Sequence, residues 1–80
     1  MRKENKDVKT ENFMRNIAWL RKRYGISKKK MAELLGVGVG TVNKLERGEF
    51  PPRLSVSVMY NIWRHFHIGA TEQFSRLWDK

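Results

Sequence analysis

The segment Ile26–Pro52 reads ISKKKMAELLGVGVGTVNKLERGEFPP, and its spacing decides the fold. Ser27 offers a helix N-cap, because its hydroxyl oxygen can accept an otherwise unpaired N–H of the first turn. Met31, Ala32, Leu34 and Leu35 then line one apolar side of a short helix, and Gly36 ends it. Val37 leads into a second short helix, roughly Val39 to Arg47, with Val42 and Leu45 as its inward pair at i, i+3 and Gly48 as its stop. Ala32 is small where the two helices must approach closely. Gly36 stands where the chain must turn sharply, and Val37, Val42 and Leu45 lock the second helix onto the first. These are the steric needs of a helix-turn-helix.

Working outward, Phe13, Ile17, Leu20 and Tyr24 fall at i, i+4, i+7 and i+11, one face of a helix that Asn12 would cap and Gly25 would close. After Pro51-Pro52, which cannot continue a helix, a fourth helix is expected from about Ser55 to His67. Val58, Met59, Ile62, Trp63 and Phe66 form its buried side, and Gly69 breaks it. Thr71 can cap a last short helix, Glu72 to Trp78, carrying Phe74, Leu77 and Trp78. No alternating strand pattern of useful length appears. The fold class is all-α with five helices. Residues 1–11 are expected to be a flexible basic arm, 12–69 the helix-turn-helix domain and 70–80 a C-terminal helix available for dimerisation. The arm reads either as a frayed terminus or as a basic segment reaching a phosphate or minor groove.

The 80 residues make one small domain with a thin core. Seventeen Lys+Arg against eight Asp+Glu give a net charge of +9, which points to a polyanion: nucleic acid or an anionic membrane surface. Arg21, Lys22, Arg23, Lys28, Lys29 and Lys30 supply much of it with no acid among them. The three lysines oppose the dipole at the start of their helix, so they read either as a solvated face or as a face turned to phosphate. The chain lacks cysteine, which excludes disulfides, a thiol nucleophile and a cysteine-based zinc site. No apolar run suits a transmembrane helix or a secretory signal, so a cytoplasmic location is expected. No catalytic constellation is visible and an enzyme is not expected. His65 and His67 are two apart and cannot share a helix face as metal ligands. Gly36 to Gly40 lacks the spacing of a phosphate cradle. No cofactor or metal is expected. Trp19, Trp63 and Trp78 read as core or interface.

The quoted segment resembles the XRE/Cro-type helix-turn-helix family of phage repressors and small bacterial regulators. The resemblance is carried by Ser27, Ala32, Leu35-Gly36-Val37, Val42 with Leu45, Glu46-Arg47-Gly48 and Pro52, and it extends over roughly residues 12–68. It implies a lambda-repressor-like domain that binds double-stranded DNA, with its second motif helix in the major groove. Base contacts would come from Val39, Gly40, Thr41, Asn43 and Lys44. An Asn pairs bidentately with adenine, a Lys donates to guanine, and an apolar side chain meets a thymine methyl. Ser27, Lys28, Lys29, Arg47 and Arg53 would hold phosphates. The resemblance also implies a salt bridge between Arg21 and Glu46. Lys28 departs from the Gln common in the family. Gly38-Val39-Gly40 departs from the polar residues usual at the start of the recognition helix. Those glycines read either as a loosely specified turn or as room for the backbone to approach DNA. A homodimer is expected, with Phe66, Phe74, Leu77 and Trp78 either forming its interface or closing the monomer core. The expected role is a sequence-specific prokaryotic or phage transcriptional regulator. The rival is a protein-interaction module, such as an antitoxin that masks a toxin partner and binds DNA secondarily. A membrane-surface peptide fits poorly with an internal glycine turn.

Overall fold

A computed structural model describes residues 8–51 and 54–79. The described residues form five α-helices and a final 3₁₀ turn: α1 Val8–Arg23, α2 Lys28–Leu35, α3 Val39–Glu46, α4 Val56–Phe66, α5 Ala70–Gln73, and the 3₁₀ turn Leu77–Asp79. No strand occurs among the described residues, so the fold is all-α and lambda-repressor-like.

One core joins the helices. Phe13, Met14, Ile17 and Leu20 of α1 meet Met31, Ala32 and Leu35 of α2, Val42 and Leu45 of α3, and Val58 and Ile62 of α4. Met31 and Val42 are entirely shielded from solvent. Truncating such a residue to Ala costs about 2–5 kcal/mol, since the transfer free energy is lost and a cavity remains.

The motif turn has a specific geometry. Gly36 adopts left-handed φ 77°, and its N–H donates to Ala32 O and Glu33 O. Val37 N–H also donates to Ala32 O at 2.9 Å. Asn61 of α4 sits over this turn: its Nδ2 donates to Leu35 O at 2.9 Å. A Cβ on Gly36 would stand 3.0 Å from that nitrogen. Glycine is therefore required twice, by φ and by space.

Several expectations are corrected. Helix α1 starts at Val8 rather than after Asn12, so residues 8–11 of the expected arm are helical; Met1 to Asp7 lie outside the described residues. Asn12 faces inward and donates to Phe74 O at 3.1 Å. Tyr24 is 58% exposed and Trp63 is 51% exposed. Both were expected inside, but each lies at the edge of a stripe that its helix does not bury fully. Helix α4 ends at Phe66, and His67 follows as its C-cap in the left-handed conformation at φ 59°. Gly69 serves instead as the N-cap of α5.

The expected last helix is split, and the reason is polar. Asn16 of α1 is buried; its Nδ2 donates to Gln73 O at 2.8 Å and Ser75 O at 2.7 Å. Its Oδ1 accepts from Leu77 N–H at 3.2 Å. Gln73, also buried, donates through Nε2 to Met59 O and Ile68 O. The Asn16 amide thus takes up backbone groups that a continuous helix would have paired internally, while Gln73 ties the segment back to α4 and the loop after it.

Candidate nucleic-acid interface

Helix α2 is well started. The Ser27 hydroxyl accepts the Lys30 N–H at 3.0 Å. Lys28, Lys29 and Lys30 are exposed around that first turn, where helix dipole and side chains have the same sign. An anion placed there relieves the repulsion. The Ser27 oxygen is engaged as an acceptor, which leaves its O–H free to donate.

Helix α3 begins differently. Its N-cap is Gly38, with no side-chain cap bond. Val42 and Leu45 point inward and are buried. With 100° per residue, Val39, Gly40, Asn43, Lys44 and Arg47 then share the outer half of the helix. Val39, Gly40 and Lys44 are exposed and Asn43 is half-buried. Thr41 is half-buried like Asn43, but it falls on the flank of the helix beside Val42 and Leu45. No atom lies within 4 Å of where a Cβ would stand on Gly38 or Gly40, and neither has a positive φ. Nothing inside the domain therefore requires glycine at these two positions.

A clamp fixes the angle of α3. Arg21 Nε donates to Glu46 Oε2 at 2.6 Å and Nη2 donates to Glu46 Oε1 at 3.0 Å. Its Nη1 donates to Ile26 O at 3.2 Å. The bidentate fork ties α1 to the end of α3, and the third bond ties both to the loop before α2. The hydrogen bond to Glu46 holds the Arg21 guanidinium protonated above its ordinary range, with burial opposing and the carboxylate charge adding. The side chains are 19% and 14% exposed, so water screens this pair less than an open surface pair.

Arg47 lies beyond the clamp and is exposed. Its Nε and Nη2 each donate to Glu49 at 3.3 Å. Those bonds, and the arginine's charge, hold the Glu49 carboxyl below the usual carboxylate range. At neutral pH Glu49 thus partly neutralises a cation expected to hold phosphate. Arg53, the fifth expected phosphate contact, and Pro52 of the motif lie outside the described residues.

The expected interface residues of the C-terminal segment are drawn inward. Leu77 is 8% exposed, and Phe74 stacks on Phe13 with ring centroids 5.0 Å apart. Trp78 is half-buried beneath the Arg15 guanidinium at 4.3 Å, and Phe66 packs on Tyr24 at 5.6 Å. The C-terminal segment thus closes the monomer, and Leu77 offers no free surface. Three exposed apolar side chains, Val56, Tyr60 and Trp63, instead share one stripe of α4 at i, i+4 and i+7. Sequence periodicity missed them because α4 carries apolar residues around most of its circumference. It also missed Asn61, whose amide interrupts the otherwise apolar run Val58–Trp63, and that interruption was the available signal.

No group of three or more His, Asp or Glu suited to a metal occurs among the described residues, and no described helix is long and apolar enough to cross a membrane.

A family model described as helix-turn-helix matches residues 17–61, from the middle of α1 to Asn61 of α4.

The chain belongs to the XRE-type helix-turn-helix family.

No curated protein and no solved structure matches it. As a member of this family it is a DNA-binding helix-turn-helix regulator, and the family is not enzymatic. The matched span contains the clamp, the turn and Asn61, so it coincides with the part of the molecule that fixes α3.

Proposed function

We propose that the protein binds specific sequences of double-stranded DNA as a prokaryotic or phage transcriptional regulator working in the cytoplasm, with α3 in the major groove. The observation that carries the reading is the outer face of α3. It is held rigidly by Arg21–Glu46 and the Val42–Leu45 pair, yet has small or open positions at Gly38 and Gly40. Asn43 and Lys44 are the base-reading residues, Val39 meets a thymine methyl, and Gly40 lets the backbone come close. Thr41, on the flank, reaches sugar or phosphate more readily than a base edge. Ser27, Lys28, Lys29, Arg47 and Arg53 position the domain on phosphates, which carry affinity but no sequence information.

The test is selection of bound duplexes from a random pool at several salt concentrations. A defined site should emerge, and Asn43→Ala and Lys44→Ala should each lose about 1–3 kcal/mol of discrimination at one base pair. Steep salt dependence without sequence enrichment would leave only nonspecific polyanion binding.

The dimer fits better on α4 than on the C-terminal segment. Val56, Tyr60 and Trp63 form an apolar stripe with Tyr60 and Trp63 rings 5.8 Å apart, whereas Leu77 is already buried. A two-fold pair would bind two half-sites about one helical turn apart. The same stripe favours the second reading, a protein-partner module of the antitoxin kind, since exposed apolar surface marks an interaction site. Sedimentation at tens of micromolar separates them. A dimer abolished by Trp63→Ala supports the first, and a clean monomer removes it.

A further inference from the structure

A groove of about 520 Å³ runs between α1 and the end of α3, and none of the base-reading residues lines it. Its volume is within the range that holds a small organic molecule. Trp19 and Trp78, both half-buried, are aromatic walls, and Ala18 contributes a shallow floor where a larger side chain would fill the space. Arg15, Lys22 and Arg47 contribute cationic groups to the lining.

The charge balance selects an anion. Glu46 also lines the groove, but both its oxygens are bonded to Arg21. That leaves Glu11 as the remaining acid against Arg15 and Lys22, with Arg47 bonded to Glu49 outside the lining. Neither Arg15 nor Lys22 is held in an ion pair with a described residue. The Arg15 guanidinium lies over the Trp78 ring at 4.3 Å. Stacking of that kind occupies the face of the guanidinium and leaves its in-plane N–H edge for a carboxylate.

We propose that this groove binds a planar aromatic carboxylate, the ring against Trp19 and Trp78 over Ala18, and the carboxylate on Arg15 and Lys22. The ligand has a second consequence that rests on the phosphate role of Arg47. A bound anion in the groove that Arg47 lines lowers the positive potential which that cation offers to phosphate, so ligand and DNA weaken each other reciprocally.

The probe is 2-naphthoate, with the isosteric neutral 2-naphthamide beside it, observed through the indole N–H resonances of the full chain. Trp63, on α4 and outside the groove, is the internal control. Naphthoate should shift Trp19 and Trp78 saturably with Kd on the order of 1 mM, as suits an unoptimised ligand of this size, and leave Trp63 in place. Naphthamide should bind roughly tenfold more weakly. Ala18→Leu should abolish the shifts. Lys22→Gln, at an exposed position that does not threaten folding, should weaken naphthoate and not naphthamide. Equal shifts at all three indoles, equal binding of the amide, or the same shifts from inorganic phosphate at matched ionic strength would overturn the site. In a parallel titration against the selected duplex, saturating naphthoate should weaken DNA binding severalfold, and unchanged affinity would overturn the coupling. A protein that binds naphthoate and no DNA would sink the regulator reading while leaving the groove standing.

Discussion

Helices α2 and α3 have the same length, eight residues each, and are secured in opposite ways. Helix α2 carries its own start: a serine cap with a side-chain bond to Lys30 N–H, followed by three lysines. Helix α3 begins on a glycine with no side-chain bond, contains Gly40 in its first turn, and relies on a distant arginine. An isolated helix of this length is marginal in water, so both depend on packing, but α3 depends on it more. The difference teaches how a small domain can present a surface without covering it. The helix that meets the partner keeps its outer face bare, and its rigidity comes from behind, through Val42, Leu45 and Glu46.

The sharpest way to break that contrast is Glu46→Ala. It strands a mostly buried guanidinium and should cost about 2 kcal/mol, lowering Tm by about 10 °C in a domain of this size. DNA affinity should fall with it. A calorimetric scan showing unchanged melting would remove the clamp from the account.

Gly36→Ala attacks the joint between the two helices. A left-handed φ and a Cβ crowding Asn61 Nδ2 should together cost about 1–2 kcal/mol, read as a lower urea midpoint with unchanged slope. If Asn61→Ala is made first, the steric part of that loss should disappear and the φ part remain. Ser27→Ala removes the side-chain cap of α2 and should cost about 1 kcal/mol, also visible in the urea midpoint.

Gly40→Ala sharpens the comparison by making α3 more like α2. No atom stands in the way of the new Cβ, so stability should rise by about 1 kcal/mol. If the backbone approaches DNA there, binding should weaken roughly tenfold. Stability and affinity would then move in opposite directions; equal or tighter binding would return Gly40 to the status of a loose turn. The smallest effect belongs to Glu49→Gln, which should leave melting unchanged. It frees Arg47, so binding should tighten about twofold at low salt and the salt slope should steepen by up to about one unit.

The helix-turn-helix was legible because its requirements are local. A left-handed residue, a small residue at the crossing and an apolar pair at i, i+3 all leave marks within a few positions of one another. The Arg21–Glu46 pair, separated by 25 residues, became visible only through the family resemblance. The C-terminal segment was misread because Asn16 reaches Gln73, Ser75 and Leu77 across 57 to 61 residues. An asparagine satisfied that far away has no period to reveal it. Tyr24 and Trp63 failed for a different reason, since helical spacing locates a stripe but not how much of it a thin core will cover. In the expected interface, the inward pair Val42 and Leu45 was legible in the sequence, and it already put Asn43 and Lys44 on the outer side of α3 and left Thr41 between base and backbone.

Asn16 has a consequence for how the protein comes into being. As the chain leaves the ribosome, α1 through α3 emerge well before Ser75 and Leu77. Until those residues arrive, Asn16 lacks the backbone groups of Gln73, Ser75 and Leu77, and Phe13 lacks the ring of Phe74, so that face of α1 stays open to water. The DNA-reading half is therefore finished last in a thermodynamic sense although it is synthesised early. A nascent chain halted before residue 73 should be an open, protease-sensitive species, so the segment that closes the monomer also delays the moment at which the protein can act.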